Sequence, residues 1–308
     1  MAHVDLHMPR RACLAVMMAG ALSACAATPP SRIVAVASPP SPVPHVVDPP
    51  AQPANSAAPA EPAPEHAAPA PAPAVPPPLA CIVRYYKATA RHEGGKWFLV
   101  LPDGTKAPYA GRRIPIGNGY YWPNVTDIYE QHYPMGPIRP VTQVDFDPGA
   151  MRLDPLFYAT YGKTAKEVRA ALVRVHIGGT VFLVHSRIAE PLRRVAVRIK
   201  AAIKKDPRLA RFFRSTGGSF NWRPIAGSHA LSSHSWGIAV DLGTKLADYW
   251  RYQTTNPSGP IKWKNRYPQP IVDAFEAEGF IWGGRWYHFD TMHFEYRPEL
   301  LDPACYPR

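Results

Sequence analysis

The stretch LSSHSWGIAVDLGT, residues 231–244, places His234 just before an apolar run and Asp241 at the far end of it. A carboxylate is rarely put among apolar side chains unless it is paired or binds a metal. Side chains alternate across a strand, so Ile238, Val240 and Leu242 share one face of 237–242 and Asp241 lies on the other, beside the small Gly237 and Ala239. A second stretch, WGGRWYHFDTMHFEY (282–296), has the same character. In the strand expected over 291–296, Met292, Phe294 and Tyr296 face the core. His293 and Glu295 share the opposite face. If the two strands are neighbours, His293 meets His234 and Asp241. Two imidazoles and a carboxylate with one position left open form a catalytic zinc shell. Calcium would ask for more oxygen ligands. One zinc ion per chain is therefore expected on the sheet.

SSHSWGIAVDL has the form S-x-H-x-x-G-x-A-x-D, and DTMHFE follows WGGRW. Together with NWRPIAGSHALSSH these motifs resemble the zinc peptidases of peptidoglycan, which include D-alanyl-D-alanine carboxypeptidases and L-alanyl-D-glutamate endopeptidases. The resemblance spans roughly residues 142–300. It implies that His234, Asp241 and His293 bind zinc and that Asp290 is the general base. It implies that Arg223 holds a substrate carboxylate or carbonyl oxygen, and that Ser232 positions the substrate or the His234 loop. Asp290 has the wrong parity for the His293 face, so it must be a loop residue at the start of the strand. Glu295 either orients a zinc ligand or pairs with a nearby arginine. His185, His229 and His288 are read as structural or surface residues, with His288 also a candidate outer-shell group. Trp222, Trp236, Trp282 and Trp286 are read as walls and core.

The chemistry agrees with the resemblance. Amide hydrolysis at neutral pH needs an activated water, and zinc lowers the pKa of its bound water to about 7. A carboxylate beside that water accepts its proton and passes it to the leaving amine. Carboxypeptidase and dipeptidase members of the family tend to carry Glu at the base position, whereas the branch with Asp includes the L-alanyl-D-glutamate endopeptidases. Asp290 therefore implies an L-Ala–D-Glu endopeptidase. The alternatives are a D-Ala–D-Ala carboxypeptidase of the same fold and a non-catalytic wall-binding lipoprotein.

The elements that must position these residues occupy the C-terminal half. Periodic apolar residues predict a helix over 163–177 (Val168, Leu172, Val175). A longer helix is expected over 187–205 (Ile188, Leu192, Val195, Ile199, Ile203), with Pro191 near its first turn. A third is expected over 268–280, ending at Gly279. Short strands are expected at 238–242, 291–296 and 180–184. Helices and strands come in blocks, so the fold class is α+β: a small antiparallel sheet packed with about three helices. Residues 81–141 form a small N-terminal β-rich region, with a meander over about 81–112 built on the turn signals Gly94-Gly95 and Asp103-Gly104.

The 308 residues include 38 prolines, of which 18 fall in 28–80 among Ala, Ser and Val. Such a segment cannot bury enough apolar surface to offset its ordering entropy, so 26–80 is expected to be a disordered linker. Before it, MPRRACLAVMMAGALSAC carries a basic start and an apolar stretch too short to span a bilayer. Its end, LSAC, resembles the bacterial lipobox, implying a lipoprotein signal peptide over 1–25 and lipidation of Cys25. The expected setting is the periplasm of a Gram-negative bacterium, with the chain anchored by lipid to the outer membrane. The catalytic domain would be 142–308. Cys81 and Cys305 bracket the folded part and either form a disulfide or stay as free thiols. The formal charge is +12, with nine basic residues between 193 and 214. They read as a solvated helix face or as a surface attracting anionic polymer or lipid. Export argues against nucleic acid. The expected partners are peptidoglycan stem peptides and the membrane.

Overall fold

The computed structural model describes residues 73–111, 114–117, 120–225, 230–252 and 261–306, with side chains left undescribed over 112–122. The signal peptide, Cys25, most of the linker and His229 lie outside the described residues. All described residues fall in one compact unit, Ala68–Arg308. Segments 81–141 and 142–308 therefore belong to the same unit.

The first element among the described residues is a helix, where linker and strand were expected. Helix α1 (Pro77–Tyr85) starts on two prolines in its first turn, where the missing N–H groups cost nothing. It buries Leu79, Cys81 and Ile82. Cys81 is bonded to Cys305, with Cα atoms 5.4 Å apart. The expected meander follows as β1 (Thr89–Glu93), β2 (Lys96–Val100) and β3 (Lys106–Pro108), antiparallel in that order. Strands β4 (Ile114–Gly117) and β5 (Tyr120–Trp122) pair with each other. Helices α2 (Asp154–Tyr161) and α3 (Ala165–Ala170) come next.

The helix expected over 163–177 is corrected. It stops at Ala170, and β6 (Leu172–Ile177) pairs with β7 (Thr180–His185) over six residues. Within β6, Val175 and Ile177 are buried while Arg174 and His176 are exposed, a period of two that the helical spacing of Val168, Leu172 and Val175 obscured. Gly178 and Gly179 make the turn, both at positive φ (56° and 91°), as a two-residue hairpin requires.

Helix α4 (Ser186–Lys205) follows, burying Ile188, Leu192, Val195 and Ile199. Each such side chain contributes roughly 1.5–3 kcal/mol of burial. Pro191 lies inside this helix, beyond the first turn, because the helix begins at Ser186. Of the basic run, Arg194 and Arg198 both clasp Glu278. The sheet that carries the site has the order β8 (Ala239–Asp241), β10 (His293–Tyr296), β9 (Phe280–Trp282), all antiparallel. Helix α5 (Gln269–Glu276) leads into β9 through Gly279, whose φ of 90° turns the chain. The described residues thus form an α+β fold with small antiparallel sheets and five α-helices, where about three were expected. No described helix is long and apolar enough to cross a membrane.

Candidate metal centre

Strands β8 and β10 pair in the register His293↔Asp241, Phe294↔Val240, Glu295↔Ala239. Val240 and Phe294 are fully buried in the core. The register therefore sets Asp241 and His293 side by side on the opposite face. His234 arrives from a short 3-10 turn, Ser233–Trp236, rather than from a strand. Ser232 caps that turn, its hydroxyl accepting from the His234 N–H at 3.4 Å. Gly237 ends it at φ 65°, and a Cβ there would come 3.1 Å from the His185 nitrogen. Gly217 makes room beside Asp241, whereas Gly237 lies against Leu172 and the His185 backbone. A Cβ on Gly217 would sit 2.9 Å from Asp241 Cβ.

Three atoms converge. His234 Nε2 lies 3.1 Å from Asp241 Oδ1 and 3.2 Å from His293 Nδ1, and His293 Nδ1 lies 3.1 Å from Asp241 Oδ1. Their outer partners fix the tautomers. His234 Nδ1 is 2.8 Å from the Ser219 carbonyl, which only accepts, so Nδ1 holds the proton and Nε2 presents a lone pair. His293 Nε2 faces Glu295 Oε2 at 3.4 Å and Ser233 Oγ at 3.3 Å, leaving Nδ1 toward the cluster. Three electron-rich atoms brought together in a buried place repel one another unless a cation lies among them. Tetrahedral ligands about 2.0–2.1 Å from a zinc ion are separated by about 3.3 Å. The donor set and its spacing fit such an ion.

Glu295 does both of the things the sequence left open. It faces His293 through Oε2 and accepts from Arg297 Nη1 through Oε1 at 3.3 Å. Arg297 is buried and also bonds Glu299 at 2.6 Å and the Gly149 carbonyl at 2.7 Å. Tyr86 donates to Glu299 at 2.7 Å, so the N-terminal region supports the site through this chain of contacts. Burial opposes ionisation of Glu295, but His293 and Arg297 overcome it and hold the carboxyl well below its usual range. Asp241 is likewise held low despite burial, by His234 and His293. Burial lowers His293, yet hydrogen bonds to Asp241 and Glu295 raise its metal-free imidazole to about 10.

Asp290 stands outside the strand, in the turn before His293. Its N–H donates to the Gly283 carbonyl at 3.0 Å, and Thr291 beside it is pinned to Asp248. Burial raises its carboxyl to about 6. Its Oδ1 is sealed and has no hydrogen-bond partner among the described residues. Asp290 lines the same cavity, of about 320 Å³, as His234, Asp241 and His293. Arg223 and Ser232 also line it; Arg223 is exposed, its backbone N–H held by Ser235 Oγ at 2.9 Å.

Sequence reasoning missed part of the wall. Arg152 lines the cavity, and so do Tyr249 and Trp250. His288 is there too, hydrogen-bonded through Nδ1 to Asp147 Oδ2 at 2.7 Å and not to a metal donor. Only distant tertiary contacts bring Arg152 and Asp147 to this place, so no local motif marks them. Trp286 packs near His293 with ring centres 5.6 Å apart, while Trp236 and Trp282 are core. His185 is structural: its Nδ1 accepts from the Arg187 N–H at 3.1 Å and caps α4.

Fold and site together form a candidate metal centre: two buried histidines and a half-buried aspartate converge, and Asp290, with one carboxylate oxygen unpartnered among the described residues, lines the same cavity. Residues 226–296 of the 308 match the family model described as D-alanyl-D-alanine carboxypeptidase. This segment contains all three donors and Asp290, and it is similar to the peptidoglycan peptidases that the motifs resemble. Arg223 lies just before it. No curated protein and no solved structure gives a significant match.

Proposed function

We propose that the protein is a zinc-dependent peptidase that cuts the L-Ala–D-Glu amide of peptidoglycan stem peptides. The observation that carries this reading is the triangle of His234, Asp241 and His293 donors with Asp290 lining the same cavity. A zinc ion held by those three residues supplies a Lewis acid and an acidified water. Asp290 takes the proton of the attacking water and returns it to the leaving amine, and its raised pKa suits both directions of transfer. Arg223, at the cavity rim, stabilises negative charge developing on the carbonyl oxygen. Ser232 holds the His234 turn, and Glu295 fixes the His293 ring.

A second reading, D-Ala–D-Ala carboxypeptidase, is favoured by the description of the matching family model. Digestion of defined stem peptides by the purified, zinc-loaded enzyme, with the products weighed, separates the two. Release of L-Ala from the rest of the stem supports the endopeptidase. Loss of a terminal D-Ala alone replaces it with the carboxypeptidase.

The cellular setting proposed is the periplasm, with Cys25 lipidated and residues 26–80 reaching toward the wall. The lipobox pattern supports it. Labelling cells with a radioactive fatty acid tests it: wild type should carry label and Cys25→Ser should not. Label on both, or on neither, removes the anchor at Cys25.

A further inference from the structure

The cavity holds a second arginine. Arg152 precedes α2 and reaches the site only through the fold. Its side chain is 7% exposed, against the exposed Arg223 on the rim. Three sides of its guanidinium are occupied. Nε faces Asp154 Oδ1 at 3.3 Å. Nη2 donates to the Leu231 carbonyl at 2.6 Å, one residue before Ser232 and three before His234. The Phe157 and Trp236 rings back it at 5.6 and 5.5 Å. Nη1 has no hydrogen-bond partner among the described residues. It is not one of the two sealed, unpartnered side-chain atoms there, which are Trp236 Nε1 and Asp290 Oδ1. Arg152 lines the same cavity as Asp241, Asp290 and His293.

This is a guanidinium held rigid on the sides away from substrate, with an N–H group left for a ligand. Because it is walled by aromatic rings and shielded from water, its attraction for an anion is screened less than that of a rim arginine. We infer that Arg152 is a substrate-binding residue that holds the α-carboxylate on the amine side of the cleaved bond, while Arg223 serves the carbonyl oxygen. The inference rests on the peptidase reading above and assigns the two arginines separate tasks.

The substrate chemistry fits. D-Glu in a stem peptide continues the chain through its γ-carboxyl, so its α-carboxylate is free and adjacent to the L-Ala–D-Glu nitrogen. A terminal D-Ala carries its α-carboxylate in the same relation to the D-Ala–D-Ala nitrogen. Either bond therefore presents the same group, nitrogen–Cα–carboxylate, to the wall beside Ser232. An anchor for it would select residues whose α-carboxyl is unblocked.

The test uses the zinc-loaded enzyme and two synthetic stem peptides. They differ only in whether the residue on the amine side of the cut bond ends in an α-carboxylate or an α-carboxamide. Wild type should cut the carboxylate with kcat/KM higher by on the order of 10²-fold, the size expected for a shielded charge pair. Arg152→Gln should bring the two peptides to similar rates, and Arg152→Lys should fall between. Arg223→Lys should slow both peptides by the same factor. Equal cutting of both peptides by wild type overturns the assignment, whatever the variants do. So does an Arg152→Gln enzyme that still binds zinc and is slowed equally on both, because Arg152 would then only position the 231–234 turn. If the glutamine variant fails to fold, the wild-type ratio and the lysine variant decide. A wild type that cuts neither peptide defeats the peptidase reading itself, and this inference with it.

Discussion

Glu295→Gln is the sharpest test of how the metal centre is held. The carboxylate is buried and ionised, with His293 at 3.4 Å on one oxygen and Arg297 at 3.3 Å on the other. Glutamine keeps the shape and removes the charge. A carboxylate behind a ligating imidazole typically raises metal affinity by about 10–100-fold, or about 1.4–2.7 kcal/mol. Arg297 keeps Glu299 at 2.6 Å, so the loss of folding stability should stay near 1–3 kcal/mol, about that of one buried polar contact. Glu299→Gln is the control. It touches Arg297 and Tyr86 but not His293, so its stability cost should be at least as large with zinc affinity nearly unchanged. Zinc affinity is read by competition with a chromogenic chelator, and stability by urea unfolding in the presence of EDTA. If both variants lower zinc affinity equally, or neither does, Glu295 does not act through His293 and the argument fails.

Other outcomes follow from the same contacts. Asp290→Asn should bind zinc as the wild type does while losing about 10²-fold or more of kcat/KM, and undiminished turnover would remove Asp290 as the base. His185 is kept neutral by burial, its pKa lowered to about 4. The unfolded chain takes up this proton near pH 6.5 and the folded protein does not. Stability should therefore fall as pH drops from about 6.5 to 4, by up to about 3 kcal/mol, and level off below. The difference between wild type and His185→Gln in urea unfolding across that window isolates the effect, and parallel curves would refute it. The Cys81–Cys305 bridge closes a loop of 224 residues by sequence separation. Replacing both cysteines with alanine should cost about 2–5 kcal/mol of stability. An unchanged urea midpoint would count against the bridge.

The site was more legible in the sequence than the fold around it. Alternation along 237–242 and 291–296 needs only local backbone geometry. It put Asp241, His293 and Glu295 on one side of a sheet, and the His293↔Asp241 register agrees. The parity of Asp290 likewise placed it in a turn, where it is found. The α4 stripe was readable because twenty residues of helical periodicity average out local exceptions. Shorter elements were misread for the opposite reason. Val168, Leu172 and Val175 fit a helix by spacing, but Ala171 ends that helix and hairpin pairing with β7 takes the next six residues. Helix α1 was hidden because its proline-led start continues the composition of the preceding linker.

What the chain alone determined is therefore the inventory of the centre: which side chains carry lone pairs, and which share a face. Those follow from residue type and the period of a strand. What tertiary structure decided is everything that joins segments far apart in sequence. Arg152 meets Leu231, Tyr86 reaches Glu299, Gly217 yields space to Asp241, and Asp147 takes His288. No local pattern records such contacts. They form because the core packs in one way only, and the polar groups it buries must find partners wherever that packing leaves them.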